Sequence, residues 1–177
     1  MNFADLTLKL SFLCGIIAAL GFFGALRGDR SSRLGERMFA AHAVLLVAAM
    51  GMLAAFFLAH RFEYAYVAEY SSRALSPALT FASLWAGQQG SILLWVTLGA
   101  LIGVALMVQP GPLARPAMFF VALAQIAMMV LLLVRSPFVR TAIVPADGQG
   151  LNPLLEDPWM VAHPPALFIG YAAMLMP

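Results

Sequence analysis

One histidine, His163, stands directly before two prolines, where a polar loop gives way to an apolar run in LNPLLEDPWMVAHPPALFIGY (residues 151–171). Proline disfavours the α conformation in the residue before it, so we expect His163 to lie outside a helix. Pro164 and Pro165 suit the first turn of a helix beginning there, because the N–H groups of a first turn have no intrahelical partner. The pattern predicts an imidazole on a stiffened backbone at the mouth of a membrane helix. Such a position suits a ligand for a group delivered at a membrane surface.

The residues before the histidine carry two predicted helix starts. Asn152 and Asp157 are each followed by proline, which is the pattern of an N-cap with proline at the first helical position. If Asp157 begins a short helix lying on the membrane, Trp159 and His163 fall four residues apart on one face. The tryptophan could then form part of a flat apolar platform beside the imidazole. Alternatively, Trp159 serves only as an interfacial anchor.

A second group of candidates combines small, amide and aromatic residues within LWAGQQGSILLW (residues 84–95): Trp85, Gly87, Gln88, Gln89, Gly90 and Trp95. The first tryptophan is expected at interfacial depth and the second more than one turn inside the membrane. The glycines and amides favour a helix start with close packing and interfacial hydrogen bonds. They are also compatible with a surface for the edge of a polar ligand at a helix N-terminus.

Arg135 and Arg140 stand five residues apart around SPFVRT (residues 136–141), at the end of an apolar run. Arginines at a membrane interface commonly anchor the chain. Arginine is also the side chain best suited to pair with carboxylates, so a role in binding an acidic ligand stays open.

The other reactive side chains favour structural roles. We expect His42 to be a satisfied structural histidine and His60 to be interfacial, while the lone cysteine, Cys14, falls in an apolar helix as a small buried hydrophobe. The sequence contains no HExxH, no CxxC, no P-loop and no GxGxxG after a strand. Zinc-protease, redox and nucleotide-binding functions therefore have no support.

The composition indicates a bilayer protein. Of 177 residues, 63% are hydrophobic and 10% are charged, with a mean hydropathy of +0.90, whereas soluble domains carry about 25% charged residues. A net charge of +2 without a basic cluster disfavours nucleic acid as a partner.

Hydropathy predicts an all-α polytopic membrane protein, with residues 1–177 forming one membrane domain that ends inside a helix. Crossing a bilayer takes about 20 apolar residues. Four runs meet this length, at residues 6–26, 38–59, 90–108 and 117–134. We expect a fifth helix to begin at Pro165 and to stop after 13 residues, at Pro177.

The loop charges predict the orientation. Arg27–Arg37 holds four arginines against two acids, and Gln109–Pro116 holds one arginine and no acid. The positive-inside rule makes both loops cytoplasmic. The N-terminus and residues 60–83 and 135–163 are then expected on the outer face.

Four motifs together carry a family resemblance: FEYAYVAEYSS (residues 62–72), LWAGQQGSILLW, SPFVRT and LNPLLEDPWMVAHPPALFIGY. In order and spacing they resemble the N-terminal part of the CcmF family of cytochrome c-type biogenesis proteins. CcmC, CcsA and NrfE belong to the same group of haem-handling proteins. The resemblance covers nearly the whole chain, from about Asp5 to Tyr171, and four motifs in fixed order make it specific.

The resemblance implies a role with haem b. Family members take haem from a holo haem chaperone and attach it to the CxxCH thiols of apocytochrome c, which a thiol-reducing partner keeps available. His163 matches a periplasmic axial ligand of the haem iron in the family. Apart from the resemblance, Trp159 is a candidate for a platform beside this histidine, and Arg135 and Arg140 are candidates for pairing with haem propionates. The family's WWD segment, second periplasmic histidine and transmembrane histidine pair lie further on. Gln89 stands where the family commonly has glutamate.

Two functions follow as hypotheses. The first is a haem-handling component of a cytochrome c haem lyase, presenting haem at the periplasmic face of a bacterial inner membrane; whether the chain itself is an enzyme stays open. The alternative is a non-catalytic assembly subunit that needs the remainder of a CcmF protein or a separate C-terminal partner chain. A transporter is disfavoured, because the four spans hold almost no ionisable group in mid-membrane.

Overall fold

The structure is a computed structural model that describes residues 2–26, 32–108 and 114–174. Its α-helices within these ranges are α1 (Phe3–Leu26), α2 (Ser32–Leu58), α3 (Ala65–Tyr70), α4 (Pro77–Ala82), α5 (Gln88–Met107), α6 (Ala114–Val134) and α7 (Pro158–Ala173). Short 3-10 turns occupy Ser83–Trp85 and Pro153–Glu156. The prediction of an all-helical fold is confirmed.

Four of the described helices, α1, α2, α5 and α6, are long and apolar enough to cross a membrane. Their bounds agree with the predicted spans to within a few residues, apart from the start of α2, which begins six residues before the predicted span. The chain is therefore a multi-pass helical membrane protein. Helix α1 packs against α2 and α6, and α5 packs against α2, α6 and α7.

A polar cluster joins three of the spanning helices. His42 is fully buried, and its Nδ1 lies 2.9 Å from both the hydroxyl and the carbonyl oxygen of Ser11. The amide of Gln125, on α6, lies 3.5 Å from the other ring nitrogen. Buried polar groups in an apolar medium need such partners, so the prediction of a satisfied structural histidine is confirmed.

Two long connections and the N-terminus meet at one end of the helix bundle, which we name the loop end: residues 2–5, 59–87 and 135–157. The backbone N–H of Ala65 donates to the Val139 carbonyl at 2.9 Å, and that of Gln149 donates to the Ala68 carbonyl at 2.8 Å. The side-chain amide of Asn2 donates to the Phe138 carbonyl at 2.7 Å. These contacts confirm that the three segments share one end of the bundle. The arginine-rich segment at residues 27–31 and the turn at 109–113 lie outside the described residues.

The prediction that His163 lies outside a helix is wrong. Helix α7 begins seven residues before Pro165, with Asp157 as its N-cap, and continues through both prolines. The Asp157 side chain accepts from the Trp159 N–H at 2.9 Å, so the predicted cap is confirmed, as is the cap at Asn152. A well-capped first turn fixes the helix upstream of the prolines, and their missing N–H groups affect only the carbonyls four residues before them.

The orientation of the loop end is a testable prediction. In a Cys14→Ala background, cysteine at Ala146 should react with a membrane-impermeant maleimide added to intact spheroplasts, because the positive-inside rule puts the loop end outside. Cysteine at Leu34, which is also exposed, should react only after the membrane is opened. Equal labelling of both positions in intact spheroplasts would contradict the topology.

Candidate functional site

His163 lies at the rim of a cavity between α7 and the segment that leads into α5. The cavity has a volume of about 280 Å³ and a mostly apolar lining: Ala82, Trp85, Ala86, Ser91, Leu151, Leu155, Met160, Val161, His163, Pro164, Leu167 and Phe168. The His163 side chain is exposed, and none of the described residues forms a hydrogen bond with its ring. Both ring nitrogens are therefore available to an incoming ligand.

Trp85 connects the two walls of this cavity. Its indole N–H donates to the Val161 carbonyl at 3.0 Å. In an uninterrupted helix that carbonyl would accept from the N–H of residue 165, which is a proline here. Trp85 is partly buried, and its contact with α7 was not predictable from spacing.

A buried tyrosine fixes the turn that carries Trp85. The Tyr66 hydroxyl lies 3.1 Å from the Leu84 carbonyl and 3.3 Å from the Gly87 carbonyl, and it accepts from the Gly87 N–H at 3.0 Å. Burial raises the pKa of the Tyr66 hydroxyl above its ordinary value. Sequence analysis assigned Tyr66 no role. Its segment, FEYAYVAEYSS, contributed only to the family resemblance and has no pattern that indicates a chemical role.

Both glycines of the Gly-Gln-Gln-Gly segment are required by close packing. A Cβ on Gly90 would overlap the Leu84 carbonyl oxygen, and a Cβ on Gly87 would meet the rings of Tyr70 and Tyr66. The amide of Gln88 accepts from the Arg135 guanidinium at 3.4 Å. This arrangement supports the first interpretation of the segment, a helix start with close packing and interfacial hydrogen bonds.

The remaining two tryptophans behave differently from each other. Trp95 stacks on Phe168 of α7, with ring centroids 5.7 Å apart and planes inclined by 18°, and also contacts Tyr171. It holds α7 against α5. Trp159 is 83% exposed, lies four residues before His163 on α7, and has no ring partner among the described residues.

The two arginines do not line the His163 cavity. Arg140 stands over the Tyr64 ring at 5.7 Å and lines a different cavity of about 360 Å³ with Asn2 and Asp5. Arg135 reaches Gln88, three residues beyond the turn that ends at Trp85. Of the two, Arg135 is thus connected more directly to the segment that forms the cavity.

The arrangement suits a metal that brings most of its own ligands. Within the described residues no three His, Cys, Asp or Glu side chains are grouped to hold a metal ion. A single exposed imidazole beside an apolar cavity can instead supply one axial ligand to iron already held by a porphyrin. The cavity is too small to enclose a whole porphyrin.

The fold and the site together describe a multi-pass helical membrane protein in which a histidine-bearing helix, α7, packs against α5. Residues 85–177, more than half of the chain, match the family of cytochrome C assembly proteins. The chain belongs to this family.

Individual relatives agree with this assignment. The chain is 36% identical over 137 residues to the probable cytochrome c-type biogenesis protein NrfE of Escherichia coli K12, and 33% identical over 163 residues to CcmF of the same strain. These matches cover 75% and 88% of the chain, but the chain spans only about a quarter of either relative. The solved structure of a cytochrome c heme lyase CcmF shares the fold over 98% of the chain, with a TM-score of 0.78 and 22% identity. The match covers 28% of that structure.

The packing at Gly90 yields a stability prediction. Gly90→Ala should destabilise the chain in detergent by about 1–3 kcal/mol, because the added methyl must displace backbone rather than a flexible side chain. Gly51→Ala is the matched control, since a Cβ there meets nothing within 4 Å; it should be neutral or stabilising by up to about 1 kcal/mol. Thermal unfolding of the two variants with equal midpoints would show that the Gly90 contact is unimportant.

Proposed function

We propose that this chain acts in cytochrome c maturation as a haem-handling part of a cytochrome c haem lyase, with His163 as an axial ligand of the haem iron. The observation that carries this proposal is the free, exposed imidazole at the rim of an apolar cavity. His163 lies within residues 85–177, the part of the chain that matches the cytochrome C assembly family.

Several residues around the cavity would take part in holding haem b, each through a different contact. His163 would ligate the iron through a neutral ring nitrogen, and the apolar lining would keep water from the adjoining edge of the porphyrin. Trp159 lies one helical turn before His163, and its exposed ring would be available to contact haem held there. Haem supplies the vinyl groups to which the cysteine thiols of a cytochrome are joined.

Charge and position define the surroundings of the site. Arg135 is the better candidate for a propionate partner, because its present partner is the neutral amide of Gln88, next to the Trp85 turn. Arg140 is less well placed, since it lies over Tyr64 beside another cavity. With the loop end on the periplasmic face of a bacterial inner membrane, the site would face the haem chaperone, apocytochrome c and its thiol-reducing partner.

One observation favours the alternative of a non-catalytic assembly subunit. Several large apolar side chains of α7 and of the residue after it are exposed in addition to Trp159: Met160, Leu167, Ile169, Tyr171 and Met174. Exposed apolar side chains of this kind suit packing against another membrane segment, such as the remainder of a CcmF protein. Under this alternative α7 would dock a partner, and the imidazole of His163 would be dispensable.

The two functions predict different results for His163→Ala. In cells that lack CcmF and express this chain with the remaining part of a CcmF relative, the variant should abolish covalent haem staining of c-type cytochromes. Its membrane abundance should stay near normal, because truncating an exposed side chain changes stability by about 0.5 kcal/mol or less. His163→Gly should recover part of the staining when imidazole is added, since the free base can occupy the vacated position.

His60→Ala is the control, because His60 lies in the turn that follows α2 and does not line the cavity. It should leave staining near normal. His42→Ala is unsuitable as a control, since it breaks a buried hydrogen-bonded cluster. Normal staining with His163→Ala at normal abundance would refute the ligand assignment and favour the docking role.

A further inference from the structure

The Trp85 indole contacts the Val161 carbonyl at a point where helix α7 has no backbone donor for that carbonyl. Pro165 has no N–H, and a proline ring within a helix also pushes the carbonyl four residues earlier out of line. That carbonyl belongs to Val161, and it receives the indole N–H at 3.0 Å. The side chain of one segment thus replaces a backbone hydrogen bond of another.

The donor is held in place from two further directions. The Ser91 hydroxyl donates to the Trp85 carbonyl at 2.8 Å, and the Phe81 ring meets the indole edge-on with centroids 5.7 Å apart. The preceding residue, Leu84, is buried and bonded to Tyr66. An indole fixed in this way can impose a position on α7 rather than follow it.

His163 lies in the helical turn between the acceptor of this bond and the proline, two residues after Val161 and two before Pro165. We propose that Trp85 is a positioning residue for His163: its indole N–H substitutes for the helix hydrogen bond that Pro165 cannot make, and this fixes the direction of the imidazole. The effect on haem rests on the function proposed above. The hydrogen bond itself does not, so the two are tested separately.

The first test measures the thermal unfolding of the purified chain in detergent, without haem. Trp85→Phe keeps the ring and loses the donor, and it should lower the midpoint by about 2–4 °C, as expected for the loss of one hydrogen bond in a chain of this size. Pro165→Ala restores a backbone N–H that can reach the Val161 carbonyl, so Trp85→Phe should have little effect in that background. Pro164→Ala is the matched control, because its new N–H faces the Met160 carbonyl and should not rescue.

The second test measures the affinity of the same variants for hemin. Trp85→Phe should weaken hemin binding about tenfold, and Trp85→Phe with Pro165→Ala should recover it. In a His163→Ala background Trp85→Phe should cause no further loss, because a positioning residue has nothing left to position. Thr97→Val is the control, because it removes a hydroxyl that donates to the Leu93 carbonyl within α5 and does not line the cavity; it should leave the affinity unchanged.

The outcomes separate the two claims. Failure of Pro165→Ala to rescue the midpoint, or equal rescue by Pro164→Ala, overturns the role of the indole–carbonyl bond. A loss of hemin affinity in His163→Ala without a loss in Trp85→Phe overturns the positioning role alone. Unchanged hemin affinity in His163→Ala overturns the ligand assignment and the positioning role with it, while the unfolding experiment still decides whether the bond stabilises α7.

Discussion

Adjacent prolines inside helix α7 impose the constraint on which the position of His163 depends. Pro164 and Pro165 together remove two backbone donors from the 16-residue helix α7. A backbone carbonyl that loses its helix donor loses a hydrogen bond, so a donor from elsewhere in the chain stabilises the helix at that point. The Trp85 indole supplies one such donor. A chain of contacts follows from it: Tyr66 fixes Leu84 and Gly87, these fix Trp85, and Trp85 fixes the turn that carries His163.

The need of buried polar groups for hydrogen-bond partners also explains why His42 and His163 differ in their contacts. His42 is fully buried among spanning helices and has partners for both ring nitrogens, so its role is to join α1, α2 and α6. His163 is exposed at the loop end, and no described residue occupies its ring. A histidine whose backbone lies in a helix but whose imidazole has no hydrogen-bond partner is suited to bind a ligand. The ligand role is therefore proposed for His163.

Sequence patterns predicted the features that depend on local chemistry. The apolar runs gave the four spans, and the Asn-Pro and Asp-Pro pairs gave two helix caps, because both depend on a few neighbouring residues. The conformation of His163 was predicted wrongly, since the bias of a residue before proline was overcome by a cap six residues earlier and by the indole of Trp85, which is distant in sequence. Tyr66 was missed, and the separation of Arg140 from the His163 cavity was not foreseen, because long-range packing decides both.

The central claim is that a nitrogen of His163 binds haem iron, and pulsed electron paramagnetic resonance tests it most directly. The chain is prepared with ¹⁵N in its histidine rings and loaded with ferric hemin in detergent. It is then examined for hyperfine coupling between the unpaired electron of the ferric iron and the labelled nitrogen nucleus. The account predicts a directly bonded ¹⁵N coupling that is kept in His60→Ala and lost in His163→Ala. A coupling that survives in His163→Ala, or no histidine coupling in the unaltered chain, would contradict it.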